Sequence, residues 1–225
     1  MKCLIFDSST IISIVMNGLF EELKRLKESF DGKFIIPKEV EEEVVNRPLN
    51  ILRFKLEALR VKSLINEKVL EFPEAIGIKT SDVIKKTKEV LNISNSTFFS
   101  SKENIKIIHS GEAACVALSK ILNQKKIENV LAVDERTTRI IIEKPENIEK
   151  LLSKKLHTNI DSNRKNFDYF KGIKVIRSTE LMYIAYIKGL LEIKDKKVLE
   201  AVLYALKLNG CSISDDEIKE VIKKG

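Results

Sequence analysis

Two apolar runs, each stopped by an aspartate and followed by a helical pattern, restrict this chain more than any other feature. Cys3-Leu4-Ile5-Phe6 ends in Asp7, and Asn129-Val130-Leu131-Ala132-Val133 ends in Asp134. Neither run alternates apolar with polar residues, so both faces must be covered, as they are for a strand inside a parallel sheet. Phe34-Ile35-Ile36 and Ile173-Lys174-Val175-Ile176 read as two further strands. Between them the apolar spacing is helical: Ser9 to Phe30, a helix opened by Pro37 with Val40 and Val44, then Ile51 to Arg60 and Ser81 to Leu91. Ser110 caps a helix running through Ile121, and others follow through Arg136 to Ile142, from Ser178 or Thr179 to Gly189, from Val198 to Leu208 and from Ser214 to Ile222. Val61 to Phe72 reads as a strand or extended stretch and Ser94 to Ser101 as a loop. Strands alternating with helices predict an α/β fold of three layers, α/β/α, around a central mostly parallel sheet, with extra helices at the C-terminus.

A chain of 225 residues suits one core, or one core with an appendage. The formal net charge of +7 fits a polyanionic partner such as nucleic acid and equally a lysine-rich solubilising surface. No apolar stretch approaches the roughly 20 residues needed to span a bilayer, and the N-terminal run is too short for a secretory signal. The expectation is therefore a cytoplasmic protein with no membrane partner. Cys3, Cys115 and Cys211, far apart and embedded in apolar sequence, read as small core residues. His109 and His157 are too few for a histidine-rich metal site.

In an open α/β sheet the ligand crevice lies at the carboxyl ends of the strands, where Asp7 and Asp134 fall. Glu112, in the first turn of its helix, and Glu43, after the second strand, can project toward the same edge. Converging carboxylates repel one another unless they bind divalent cations or shift their pKa values. A set made only of oxygen ligands favours Mg²⁺ or Mn²⁺ over zinc. Each acid also has a purely structural explanation. Asp7 and Glu112 suit helix N-termini, Glu43 is one of a run with Glu39, Glu41 and Glu42, and Asp134 can cap a strand-to-helix turn.

The order of the motifs carries a resemblance. Asp7-Ser8-Ser9-Thr10 after an apolar strand, Pro37-x-x-Val40-x-x-Glu43, Gly111-Glu112-Ala113-Ala114-Cys115-Val116-Ala117-Leu118, and Leu131-Ala132-Val133-Asp134-Glu135-Arg136-Thr137-Thr138-Arg139 resemble, in sequence order, the landmarks of PIN-domain nucleases. Gly172 to Leu181, Ala185 to Leu191 and Gly210 to Ile218 look like the tail of an archaeal and bacterial subgroup related to VapC-type toxin ribonucleases. The resemblance implies a PIN-like domain over residues 1–190, with insertions near 61–106 and 143–171 that match no landmark, and a helical extension over 191–225 packed on the same domain. It implies an endoribonuclease in which Asp7, Glu43, Glu112 and Asp134 are catalytic, and Asp7, Glu112 and Asp134 hold one or two Mg²⁺ or Mn²⁺ ions. Ser9, Glu135, Arg139 and Ser178 would support them; Ser9 would orient Asp7 or a water, and Arg139 would hold the acidic pair or meet the backbone. RNA is the implied partner, and the subgroup leaves room for an antitoxin-like protein and a homodimer.

The long connection offers a nucleic-acid-binding arm, with Lys150, Lys154, Lys155, His157, Arg164 and Lys165 preceding Phe167, Tyr169 and Phe170. The alternative is a solvated hairpin whose aromatics enter the core. An aspartyl-phosphate phosphatase needs a second aspartate where Ser9 stands, and a receiver domain needs an acidic pair near the first strand, so both are disfavoured. A PIN fold that binds RNA or a protein without cutting it stays as the alternative function.

Overall fold

The computed structural model describes residues 1–101 and 103–224. Its centre is a four-stranded sheet in the order β2-β1-β5-β7, every pair parallel, formed by β1 (Lys2–Phe6), β2 (Lys33–Ile35), β5 (Glu128–Ala132) and β7 (Val175–Ile176). β1 is paired on both sides, and Ile5 and Phe6 are wholly buried, as the absence of alternation required.

α1 (Ser8–Met16), α2 (Phe20–Glu28), α9 (Ser178–Ile187) and α10 (Val198–Leu208) pack together as one helical layer. α6 (Ser110–Gln124) lies against β1 and β5 and is covered in turn by α5 (Thr80–Asn95). Its inner face is built from Gly111, Ala113, Ala114 and Ala117, so the backbones approach closely and the Cys115 thiol meets the Phe6 carbonyl at 3.5 Å. The fold is therefore α/β, with a parallel sheet between helical layers. α11 (Asp215–Ile222) packs on α10, and the loop before it is tied to the sheet by Ser212 N–H donating to the Asp134 carbonyl at 3.2 Å. No described helix is long and apolar enough to cross a membrane.

Three local expectations change. The pattern from Ser9 to Phe30 is two helices, because Gly18 adopts φ +73° and ends α1 after Asn17, a left-handed turn that glycine takes without strain. The first half of Val61 to Phe72 is helical: α4 (Lys55–Asn66) carries through Val61 and Leu64, and the extended part is confined to Glu71, which bridges Ile35 in parallel at the rim of β2, and Phe72. Ser94 to Ser101 is not a loop. α5 ends at Asn95, and β3 (Phe98–Ser100) then pairs antiparallel with β4 (Glu103–Asn104) and β6 (Asp161–Ser162). This second sheet joins the two segments that matched no landmark, and its β3 and β6 lie some sixty residues apart, where local patterning cannot reveal their pairing.

The aromatics of the connection follow the core alternative. Phe170 is fully buried, Phe167 packs on Phe98 with ring centroids 5.9 Å apart, and Tyr169 covers the Lys120 ammonium at 3.9 Å. All three cysteines are buried and free.

The packing of α4 yields a direct check. Leu64 is 0% exposed and Leu56 is 56% exposed on the same helix. We expect Leu64→Ala to lower unfolding stability by about 3 kcal/mol and Leu56→Ala by under about 0.5 kcal/mol, measured by urea denaturation.

Candidate active site

The carboxyl edge of the sheet gathers acids from four separate segments, each delivered by a different local device. Asp7 follows the last residue of β1. Its N–H continues the ladder by donating to the Ala132 carbonyl at 2.9 Å, and the residue caps α1 with extended backbone. One carboxylate oxygen accepts from the Ser9 N–H at 3.1 Å and from the Ser9 hydroxyl at 2.5 Å. The other, Oδ1, is buried without a hydrogen-bond partner among the described residues. Burial pushes the Asp7 carboxyl up to about 6; the Ser9 bonds oppose that shift and the Glu43 charge adds to it.

Glu43 arrives from α3 (Lys38–Glu41), which widens into a π-helical turn over Glu42–Asn46, closed by Arg47 N–H donating to the Glu42 carbonyl at 3.0 Å. Wide turns of this kind recur at functional sites. Glu43 Oε2 accepts from the Ser8 hydroxyl at 2.7 Å. The carboxylate lies over Gly111, where a β-carbon would stand 2.6 Å from Oε2, so the glycine is the space that admits the acid. The neighbouring Glu39, Glu41 and Glu42 do not share this contact; Glu41 pairs with Lys38, and Glu42 with Asn46 and Arg47.

Glu112, in the first turn of α6, accepts from the His109 N–H through Oε2. Its carboxyl is pushed up to about 7, first by burial and then by the charges of Asp7, Glu135 and Glu43, against the His109 bond. The Cys115 thiol is raised by burial and then by the charges of Asp7, Glu43, Glu112 and Glu39, which keeps it neutral.

Asp134 plays another part. It is 0% exposed, and its two oxygens accept from the Ser178 N–H at 2.7 Å and the Ser178 hydroxyl at 2.6 Å. The Asp134 N–H donates to Ser9 Oγ at 3.0 Å, so Ser9 links the ends of β1 and β5. Glu135 caps α7 (Arg136–Glu143) by accepting from the Thr138 N–H at 2.6 Å. Arg139 takes the backbone option: it donates to the Ser212 carbonyl at 2.8 Å and lies 3.7 Å from Glu143, and so does not hold the acidic pair.

Glu43 and Glu112 open onto a groove of about 970 Å³ whose walls include Arg47, Lys106, His109, Asn92 and Asn104. The sequence pattern did not single out Arg47, Lys106 or Ser8, although Ser8 adjoins Asp7 and Lys106 shortly precedes the helix bearing Glu112.

Comparison with protein-family models, with curated proteins and with solved structures found no match. The chemistry must be read from the site alone. Among the described residues no three His, Cys, Asp or Glu side chains form a group that could grip a metal ion as they stand. The donor set nonetheless suits a hard cation, being all carboxylate. Asp7 Oδ1 lacks a partner, and no hydrogen bond among the described residues reaches Glu43 Oε1 or Glu112 Oε1.

A carboxyl whose folded pKa exceeds its unfolded value is protonated more readily in the fold, so protons favour folding. For Asp7 the rise from 3.8 to about 6 corresponds to roughly 3 kcal/mol, present at low pH and lost as pH rises through the folded value. Glu112, rising from 4.5 to about 7, acts in the same sense. In metal-free buffer we expect the melting temperature to fall from about pH 4.5 to about pH 8. The Asp7→Asn protein, neutral at every pH, should show a visibly shallower fall; an identical profile would contradict the burial assigned to Asp7.

Proposed function

We propose that this edge is the active centre of a divalent-cation-dependent endoribonuclease of the PIN type. One observation carries the reading. Asp7, Glu43 and Glu112 come from three distant segments to the carboxyl ends of parallel strands, where the Glu43 charge helps to raise the Asp7 carboxyl and the charges of Asp7 and Glu43 help to raise that of Glu112, while a buried Asp7 oxygen has no partner. Such an arrangement is destabilising unless positive charge enters it.

Asp7, Glu43 and Glu112 would hold Mg²⁺ or Mn²⁺ through their unengaged oxygens. When bound, the cation lowers the pKa of a coordinated water and neutralises charge developing on the phosphate. Ser9 fixes the Asp7 rotamer by two hydrogen bonds, and Ser8 fixes Glu43 by one. Glu112, whose Oε2 accepts from the His109 N–H, would offer Oε1 to the cation. The water oxygen bonds to phosphorus as the bond to the ribose 3′ oxygen breaks. The products are then a 5′-phosphate and a 3′-hydroxyl that takes up a proton, as the family resemblance implies. Asp134 serves as a positioning residue: its carboxylate anchors α9 through Ser178, and its N–H orients Ser9.

A second reading, a PIN-type fold that binds RNA or protein without cutting it, is favoured by the full engagement of Asp134 and by the absence, among the described residues, of a ready group of three donors. Cleavage separates the two. We expect a labelled single-stranded RNA to be cut with Mn²⁺ and not with EDTA, and Asp7→Asn to lose at least about a hundredfold in rate. Equal rates for both proteins would mark a contaminant. Mn²⁺ should also raise the melting temperature of the wild type near pH 8 and leave Asp7→Asn unmoved.

Gly111→Ala tests the role of Glu43 separately. The added methyl displaces a flexible carboxylate rather than backbone, and alanine favours the helix by up to about 1 kcal/mol, so melting should change by only a few degrees. Cleavage should nevertheless fall about tenfold or more; unchanged cleavage would remove Glu43 from the centre.

A further inference from the structure

Two grooves border the acids of the carboxyl edge, one lined by Glu43 and Glu112 and one by Glu135. The second, of about 720 Å³, starts at Glu135 and runs between α7 and α8 (Glu146–Leu156). Arg136 of α7 and Lys150, Lys154 and Lys155 of α8 line it, and all four are exposed. None of the four makes an ion pair among the described residues, and Glu143 and Glu149, on or beside the same helices, pair instead with Arg139 and Arg164. The adjoining pocket of about 510 Å³ is different: its cations Arg139, Arg177 and Lys207 are engaged by the Ser212 carbonyl, Glu217 and Asp215. Positive charge used to hold the fold is thus separate from positive charge left unpaired, and the unpaired set borders the acids.

α8 turns Ile148 and Leu152 into the core, which leaves Lys150 and Lys154, one helical turn apart, side by side along the groove. A row of cations suits a polyanion whose charge recurs at each unit. The apolar lining is Ile140 and Leu151, with no aromatic to stack on a base, so contact with a nucleic acid would be to its backbone and indifferent to sequence. The groove begins at Glu135, and beyond its lining the acids Asp134 and Asp7 are recessed, 0% and 1% exposed. A duplex is too stiff to bend a phosphate into such a recess, whereas a single strand can dip.

We propose that the α7–α8 groove carries the phosphate backbone of single-stranded RNA running to or from the carboxyl cluster. The location of the scissile bond rests on the nuclease reading above; binding in the groove does not. Arg164 and Lys165 stand outside the groove lining and take no part.

The test is fluorescence anisotropy of a labelled single-stranded RNA in EDTA, titrated at several salt concentrations. Each phosphate contact on a single strand contributes about −0.7 to the slope of log affinity against log salt. The Lys150→Gln/Lys154→Gln protein should therefore lose about 1.4 from that slope and bind about tenfold more weakly at low salt. Lys2→Gln/Lys188→Gln, which removes two cations lining a pocket at the amino end of the sheet, should match the wild type. The proposal is overturned by an unchanged slope in the first variant, by equal losses in both, or by a duplex or an oligoglutamate competing as well as the single strand. A wild type that binds as expected and yields no product with Mn²⁺ supports the groove and sinks the nuclease. Cleavage with no change of slope does the reverse.

Discussion

Ser9 holds the two central strand ends to one another, and the carboxyl edge depends on that contact. Its hydroxyl donates to Asp7 and accepts from the Asp134 N–H, using both capacities of one oxygen between β1 and β5. The bond also decides which way each acid faces. Asp7 is turned so that one oxygen is satisfied and the other left buried and bare, while Asp134 is free to point its carboxylate at Ser178. A carboxylate so fixed cannot relieve its repulsion from Glu43 by rotating away. The strain of the cluster is therefore held in place rather than relaxed.

Around that negative interior the surface is positive. Arg47 and Lys106 stand on one flank, Arg136 and the α8 lysines on the other. The net charge of +7 is thus unevenly used. Cations at the C-terminal loop are tied into the structure, whereas Arg136 and the α8 lysines make no ion pair among the described residues. A field of this shape draws a polyanion toward the cluster and offsets the repulsion its phosphates would meet there.

The parallel sheet and the acids at its edge were legible because they are written locally. Unbroken apolar runs ending in Asp7 and Asp134, and small residues after Ser110, have few structural meanings. Glu112 followed from its place in a first turn. Glu43 could be selected among four glutamates only through a family pattern, because its position depends on the π-helical turn and on Gly111 beneath it, both set by packing. Asp134 was placed at the right edge, but its engagement by Ser178 depends on where α9 docks, and Arg139 reached Ser212 for the same reason. The small antiparallel sheet is not legible because its strands are two or three residues long and Phe98 pairs with Ser162 across some sixty residues.

The π-helical turn at Glu42–Asn46 has a wider consequence. Two acids and two valines in succession there must satisfy two demands at once, with Val44 and Val45 buried and Glu43 handed to the cleft. A regular helix fixes the angle between successive side chains at about 100°. The widened turn shifts the phase of the helix between its two ends and uncouples the packing face from the chemical one. Inserting one uncharged polar residue within this turn would therefore rotate the acid out of alignment while leaving both the charge and the apolar residues of the sequence unchanged.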